Sequence, residues 1–266
     1  MKIFLKTEDE IQLMREANQL VGKTLAELFS HIKPGVTTLY LDKIAEEFIR
    51  DHGAIPTFKG FHNPFGPDFP GSICTSVNEC VVHGIPTDKQ VLKDGDIISI
   101  DCGTLLNGFN GDSAYTFCVG NVSPEVKRLL KVTKQSLYKA IDIAVAGRKV
   151  GDIGNVVQTF CEAEGYGIVR ELTGHGIGRQ MHEDPAIPNY GKRGNGPTLK
   201  NGMCIAIEPM ITMGDHKIGL LPDKWSIITR DRKPAAHFEH TIVVRKGKSE
   251  ILSSFEEIER LEGEIY

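Results

Sequence analysis

Two pairs of amphipathic helices in this chain share one register, displaced by 112 residues. Thr7-Glu8-Asp9-Glu10 is a capping box that opens the first helix. Ile11, Met14, Ala17, Val21, Leu25 and Leu28 then recur at helical spacing, and Pro34-Gly35 predicts the stop. A second helix carries Leu41, Ile44, Phe48 and Ile49 and closes at Gly53. Ser123-Pro124-Glu125 caps a third, with Leu129, Leu130, Leu137 and Ile141 apolar and Gly147 as its stop. The fourth holds Ile153, Val156 and Phe160 and closes at Gly165. Gly35 falls on Gly147, Leu41 on Ile153, Ile44 on Val156, Phe48 on Phe160 and Gly53 on Gly165. Unrelated amphipathic helices do not readily match their terminating glycines as well as their apolar stripes. The spacing predicts two related helix–helix–strand halves, about 1–120 and 121–266, each followed by mostly antiparallel strands. They should pack as one α+β domain over 1–266, pseudo-twofold about a curved sheet, since no low-complexity linker divides them.

Ligand sites favour the seam between such halves, and both halves offer candidates. Asp101 ends the apolar run IISID, and Asp112 starts DSAYTFCV. Glu208 lies in MCIAIEP and Glu239 in AHFEHTIVV. Taken singly, each acid is more often a strand-end residue or an ion-pair partner than a ligand. Between Asp101 and Asp112, however, TLLNGFNG carries two Asn-Gly steps, a strong hairpin signal. A hairpin would set the two aspartates side by side, roughly 5 Å apart, where they repel unless a cation or proton intervenes. His175 adds an imidazole in the glycine-rich TGHGIG, which has neither dinucleotide-loop nor P-loop spacing. Glycines on either side give that histidine backbone room to approach a metal. Two divalent ions would set a charge of about +4 against the −4 of four carboxylates.

Oxygen-rich ligands with one imidazole suit Mn, Fe, Co or Zn, whereas a structural zinc site would use thiolates. Paired ions of this kind activate water and polarise carbonyls, so amide or ester hydrolysis is the reaction class. His83 in VHGIP and His182 in RQMHE stand in similar small-residue settings, where a surface or supporting role is commoner than catalysis. The other histidines, His31, His52, His62, His216, His237 and His240, have no comparable context. A net charge of −4 gives no basis for binding nucleic acid or an anionic membrane. No apolar run reaches the roughly 20 residues of a membrane helix, and Met1 to Lys6 is no signal peptide. The six cysteines form no CxxC pair and sit mostly in apolar stretches, which predicts a cytoplasmic protein without disulfides.

Taken together, VVHGIP, DIISIDCG, NGFNGDSAYTF, TGHGIGRQMHE, IAIEPMIT and HFEHTIVV resemble type I methionine aminopeptidases, over about Thr7 to Leu252. The resemblance implies the pita-bread (creatinase/aminopeptidase) fold, in agreement with the offset above. It implies five ligands to two divalent ions, with Asp112 and Glu239 bridging, Asp101 completing one shell and His175 with Glu208 the other. It also implies removal of the initiator methionine by attack of a metal-bridging hydroxide. Glu208 would then transfer the proton, His182 would stabilise the tetrahedral intermediate and His83 would contact the substrate. Phe69, Cys74 and Trp225 match the wall of the methionine pocket, a soft slot suited to a thioether.

The chain departs from that pattern at Met181, where an aromatic is common, and at Gly103, where a polar residue is usual. The loop of residues 63–70 is also lengthened and stiffened by prolines, which bears on the pocket rim. Proline-specific peptidases of the same fold share the five ligands, but they usually carry a large extra N-terminal domain. A non-catalytic binding module of this fold would typically lack some ligands, and all five are present. The resemblance is to the compact bacterial form, which implies nascent chains near the ribosome as substrates and small second residues; a monomer is the default expectation.

Overall fold

The computed structural model describes residues 2–263; the outer bounds expected for the domain, 1 and 266, lie outside the described residues. The Thr7 hydroxyl accepts from the Glu10 amide at 3.3 Å, and the Glu10 carboxylate accepts from the Thr7 amide at 3.1 Å. This reciprocal cap opens α1, Glu8–Phe29. Every residue of its apolar stripe, from Ile11 to Leu28, is buried. α2 spans Thr38–Asp51, α3 Pro124–Ile143 and α4 Val150–Ala163. Ser123 caps α3 by accepting from the Val126 amide.

Gly35 and Gly147 differ from expectation, because α1 and α3 have already ended at Phe29 and Ile143. Each glycine lies instead in the connection to the next helix, with φ of +92° and +95°, a region that favours glycine. The Gly35 amide donates to Leu92 at 2.8 Å and the Gly147 amide to Leu199 at 2.9 Å. Leu92 and Leu199 answer with bonds to Val36 and Arg148. At the far ends of α2 and α4, Ala54 donates to Ile49 and Tyr166 to Cys161. The pseudo-twofold relation is thus written in hydrogen bonds as well as in sequence.

All strand pairings among the described residues are antiparallel. In the first half, Ile97–Leu106 pairs with Ile55–Pro56, Ile73–Val77 and Phe109–Cys118. In the second half, five strands run in the order Glu250–Ile251, His240–Val243, Cys204–Ile207, Thr173–Gly176 and Glu183–Pro188. Two three-stranded sheets complete the framework, one of them built on Met210–Thr212 and the other on Ile227–Thr229. The largest apolar cluster runs through both halves, from Leu25 and Leu41 to Leu137, Ile153 and Ile205, with two smaller clusters beside it.

α1 crosses the Ile97–Leu106/Phe109–Cys118 hairpin at very short range. A Cβ on Gly111 would run into the Ala17 backbone, and the Thr104 hydroxyl donates to the Ala17 carbonyl at 3.0 Å. No helix among the described residues is long and apolar enough to cross a membrane. All six cysteines are free.

Candidate active site

Asn107 and Gly108, with φ of +52° and +78°, make the two-residue turn that the Asn-Gly signal predicts. The register pairs Asp112 with Gly103 and Asp101 with Ala114. The aspartates are therefore diagonal neighbours on one face of the hairpin, not directly opposite as expected, and their carboxyl groups still meet. Asp112 is held from two sides. Its amide donates to Asn18 of α1 at 3.2 Å, and Thr241 donates to its carbonyl at 2.9 Å. Glu239 sits between the strands Ala235–His237 and His240–Val243. Its amide donates to Ala114, and Ser113 donates to its carbonyl at 2.6 Å. Glu208 follows the strand Cys204–Ile207, with its carbonyl held by Asn189 at 2.8 Å.

The glycines around His175 serve a different purpose from the one expected. A Cβ on Gly174 would strike the Ala206 carbonyl, and one on Gly176 the Asp184 carbonyl. Thr173–Gly176 is squeezed between its two neighbouring strands, and only glycine fits there. His175 Nδ1 faces the Gly176 carbonyl at 2.9 Å, which fixes the ring with Nε2 turned toward the acids. Nε2 lies 3.5 Å from Asp112 and 3.7 Å from Glu208. A backbone carbonyl behind a turned-in imidazole is the usual support of a metal-binding histidine.

Ligand atoms of Asp112, His175 and Glu239 lie within 4.8 Å of one another. One oxygen each of Asp101, Asp112 and Glu239 is buried without any hydrogen-bond partner. Unpartnered buried carboxylate oxygens are costly unless a cation meets them. Burial raises the carboxyl of Asp101, and the Asp112 and Glu208 charges raise it further. Glu239 is raised in the same way, by burial and then by Asp112, Glu208 and Asp101. Burial also lifts Asp112, although the His175 hydrogen bond pulls it back. For His175 burial opposes the charged form, yet Asp112 and Glu208 outweigh it and the net shift is upward. The donor set fits divalent cations on its chemistry: hard oxygens, one imidazole and excess negative charge.

These groups form the floor of a cavity of about 370 Å³, which all five acid and imidazole candidates line. His83, His182, Phe69, Cys74 and Trp225 line it too. His83 adopts φ +59°, unusual for a side-chain-bearing residue. Gly84 follows it because a Cβ there would overlap the Thr75 carbonyl. Burial pushes the His83 imidazole down to about 4. His182 is also pushed down to about 4, by loss of solvent on its packed faces and then by His175. Its ring stands edge-on to Phe61 and to His175, at 5.3 and 4.4 Å, while the outer edge stays exposed. Both imidazoles are neutral at neutral pH and can offer N–H donors.

The apolar wall is built by long-range contacts. Cys74 pairs with Asp101 across the sheet, and burial beside that carboxylate keeps its thiol protonated. Phe69 and Trp225 meet edge to face at 5.1 Å. The Trp225 indole N–H donates to Pro67 at 2.7 Å, and Asn63 donates to Lys224 at 3.1 Å. The loop of residues 63–70 is thereby tied to the cavity rim, with Phe65 exposed.

Several residues in the site went unassigned in the sequence. His237 is buried with Nε2 3.7 Å from Glu208. Its backbone is bonded both ways to Thr116, 121 residues earlier, which no local pattern reveals. Phe58, Phe61, Leu172 and Met210 also line the cavity. Met181 does not line it and packs behind Phe58.

A carboxylate–imidazole cluster on the floor of such a cavity, in a pseudo-twofold antiparallel α+β scaffold, defines a metallohydrolase of the pita-bread kind. The model of metallopeptidase family M24 matches residues 12–246, and the chain belongs to that family. It is 51% identical over 251 residues to methionine aminopeptidase 1 of Bacillus subtilis, covering 94% of this chain and 99% of that protein. The crystal structure of methionine aminopeptidase from Rickettsia prowazekii superposes with a TM-score of 0.91 at 44% identity, covering 95% and 100% of the two chains. An X-Pro aminopeptidase structure from Thermotoga maritima shares the fold, with a TM-score of 0.73 at 23% identity. The match covers 94% of this chain but 62% of that one.

Proposed function

We propose that this chain removes the N-terminal methionine from peptides and nascent proteins, as one catalytic unit using two divalent ions of Mn, Fe, Co or Zn. The observation that carries the reading is the convergence of four carboxylates and His175, three of whose oxygens lack partners, beside an apolar slot. Asp101, Asp112, His175, Glu208 and Glu239 would hold the ions. The bound ions supply Lewis acidity toward the scissile carbonyl and lower the pKa of the attacking water.

The chain's own groups do the rest. Glu208 takes the proton of the attacking water and passes it to the leaving amine. His182, neutral and exposed on one edge, donates its N–H to the carbonyl oxygen as charge develops there. His83 contacts the substrate amide from the opposite wall. Phe69, Cys74 and Trp225, joined by Phe58 and Phe61, enclose the thioether. Small second residues fit best, because a larger side chain clashes beyond the cleaved bond. The chain works in the cytoplasm as a monomer, near the ribosome.

The test is methionine release by chelator-stripped protein titrated with Mn, Co or Fe, comparing Met-Ala-Ser with Ala-Pro-Ser. Metal-dependent cleavage of the first peptide alone is expected. Cleavage of the second would move the chain to the proline-specific branch. Cleavage of neither would make it a binding module.

A further inference from the structure

Beside the catalytic cavity opens a second hollow of about 470 Å³, and Thr173, His175 and His182 line both. Asp184 and Ala186 form one side of it, with both residues exposed. Opposite stand Lys2 and Phe4, from the chain's own N-terminal segment. That segment is fixed in place. Leu5 pairs antiparallel with Met203, and the Lys6 amide donates to Gly202 at 2.8 Å. The Lys6 ammonium is buried against the Glu183 carboxylate, next to His182. The Lys2 amide donates to the Asp184 carboxylate at 2.7 Å. Phe4 is near two ammonium groups, 4.8 Å from Lys2 Nζ and 5.6 Å from Lys6 Nζ, and is 46% exposed.

We infer that this hollow is the subsite for the polypeptide downstream of the cleaved bond, beyond the residue that follows the methionine. The inference rests on the aminopeptidase reading. An enzyme whose pocket takes one terminal side chain must let the remaining polypeptide leave past the reacting carbonyl. His182, the proposed donor to that carbonyl, stands on the boundary of both hollows. The walls carry little net charge: Lys6 neutralises Glu183, and the rim holds one further carboxylate, Asp184, and one further ammonium, Lys2. Phe4 and Ala186 offer apolar surface that any extended backbone can lie upon. The ligand class is accordingly an extended peptide of mixed sequence, recognised by its length.

The experiment compares Met-Ala-amide with the pentapeptide Met-Ala-Ser-Thr-Gly on the metal-loaded protein and on Phe4→Ala and Ala186→Trp variants. The unaltered enzyme should favour the pentapeptide about tenfold in kcat/KM, through KM. Each variant should remove about fivefold of that preference, while Met-Ala-amide stays within about twofold. Equal effects on both substrates, or no length preference in the unaltered enzyme, would overturn the subsite and leave the aminopeptidase reading standing. Release of methionine from neither substrate would overturn both.

Discussion

The methyl group of Met181 fills the space that a side chain on Gly103 would need, and the Phe58 ring closes the other side. Gly103 and Met181, singled out separately in the sequence, are therefore one packing feature. Phe58 lines the catalytic cavity, and Gly103 lies across the hairpin from Asp112. Substituting Gly103→Thr should cost about 1–3 kcal/mol by overpacking. Adding Met181→Ala to the same chain should restore part of that loss. Denaturant unfolding of both single variants and the double variant checks this, and strict additivity would contradict the contact.

Glu208→Gln keeps the shape of the site and removes the carboxylate assigned to proton transfer. Turnover should fall by about 10²–10⁴-fold. Folding, followed by circular dichroism, should be little changed. A variant that keeps full turnover would refute the role given to Glu208.

Stability should depend on pH and metal in a defined sense. Asp101 and Glu239 hold their protons in the folded chain far above the usual carboxylate range. Their contribution is complete below about pH 4 and is lost as pH rises through the raised folded values. His83 and His182, pushed down to about 4, act in the opposite sense, and their contribution is lost as pH falls from about 6.5. Above pH 6.5 those imidazoles are neutral in folded and unfolded chains alike, and the raised His175 acts there in the same sense as the carboxylates. In that window the chelated protein should lose stability as pH rises, and divalent metal should restore it. Thermal unfolding with and without metal measures this; a rise in stability with pH in chelator would contradict it.

Trp225→Phe retains the aromatic wall and deletes the donor to Pro67. The loop should lose about 1 kcal/mol of local stability. Amide exchange at Gly60 and Phe69, whose backbones tie the loop base, should quicken. The KM for a methionine peptide should rise with kcat little altered.

What the sequence made legible was local. The Thr7–Glu10 cap, the α1 stripe and the Asn107-Gly108 turn each depend on neighbours within a few residues, and each stands as expected. The alignment of Glu208 and Glu239 with Asp101 came from resemblance, since strand order brings them together across long separations. His237 has no local signal for the same reason, because its partners Thr116 and Glu208 lie far away in the sequence. The glycines around His175 were noticed but misread. Their cause is the approach of two neighbouring strands, which a single segment cannot show.

Asp112 is secured by Asn18 on one side and Thr241 on the other, and Glu239 follows it by 127 residues. A ribosome making this chain releases the two aspartates on the order of ten seconds before their last partner. During that interval the hairpin has α1 to pack against but neither Glu239 nor the Thr241 bond. The cutting centre is thus completed late, when only the edge strand Glu250–Ile251 and the residues after it remain to be made. A half-made copy lacks both Glu208 and Glu239, so the order of synthesis itself sets how late a molecule can acquire its full set of acids.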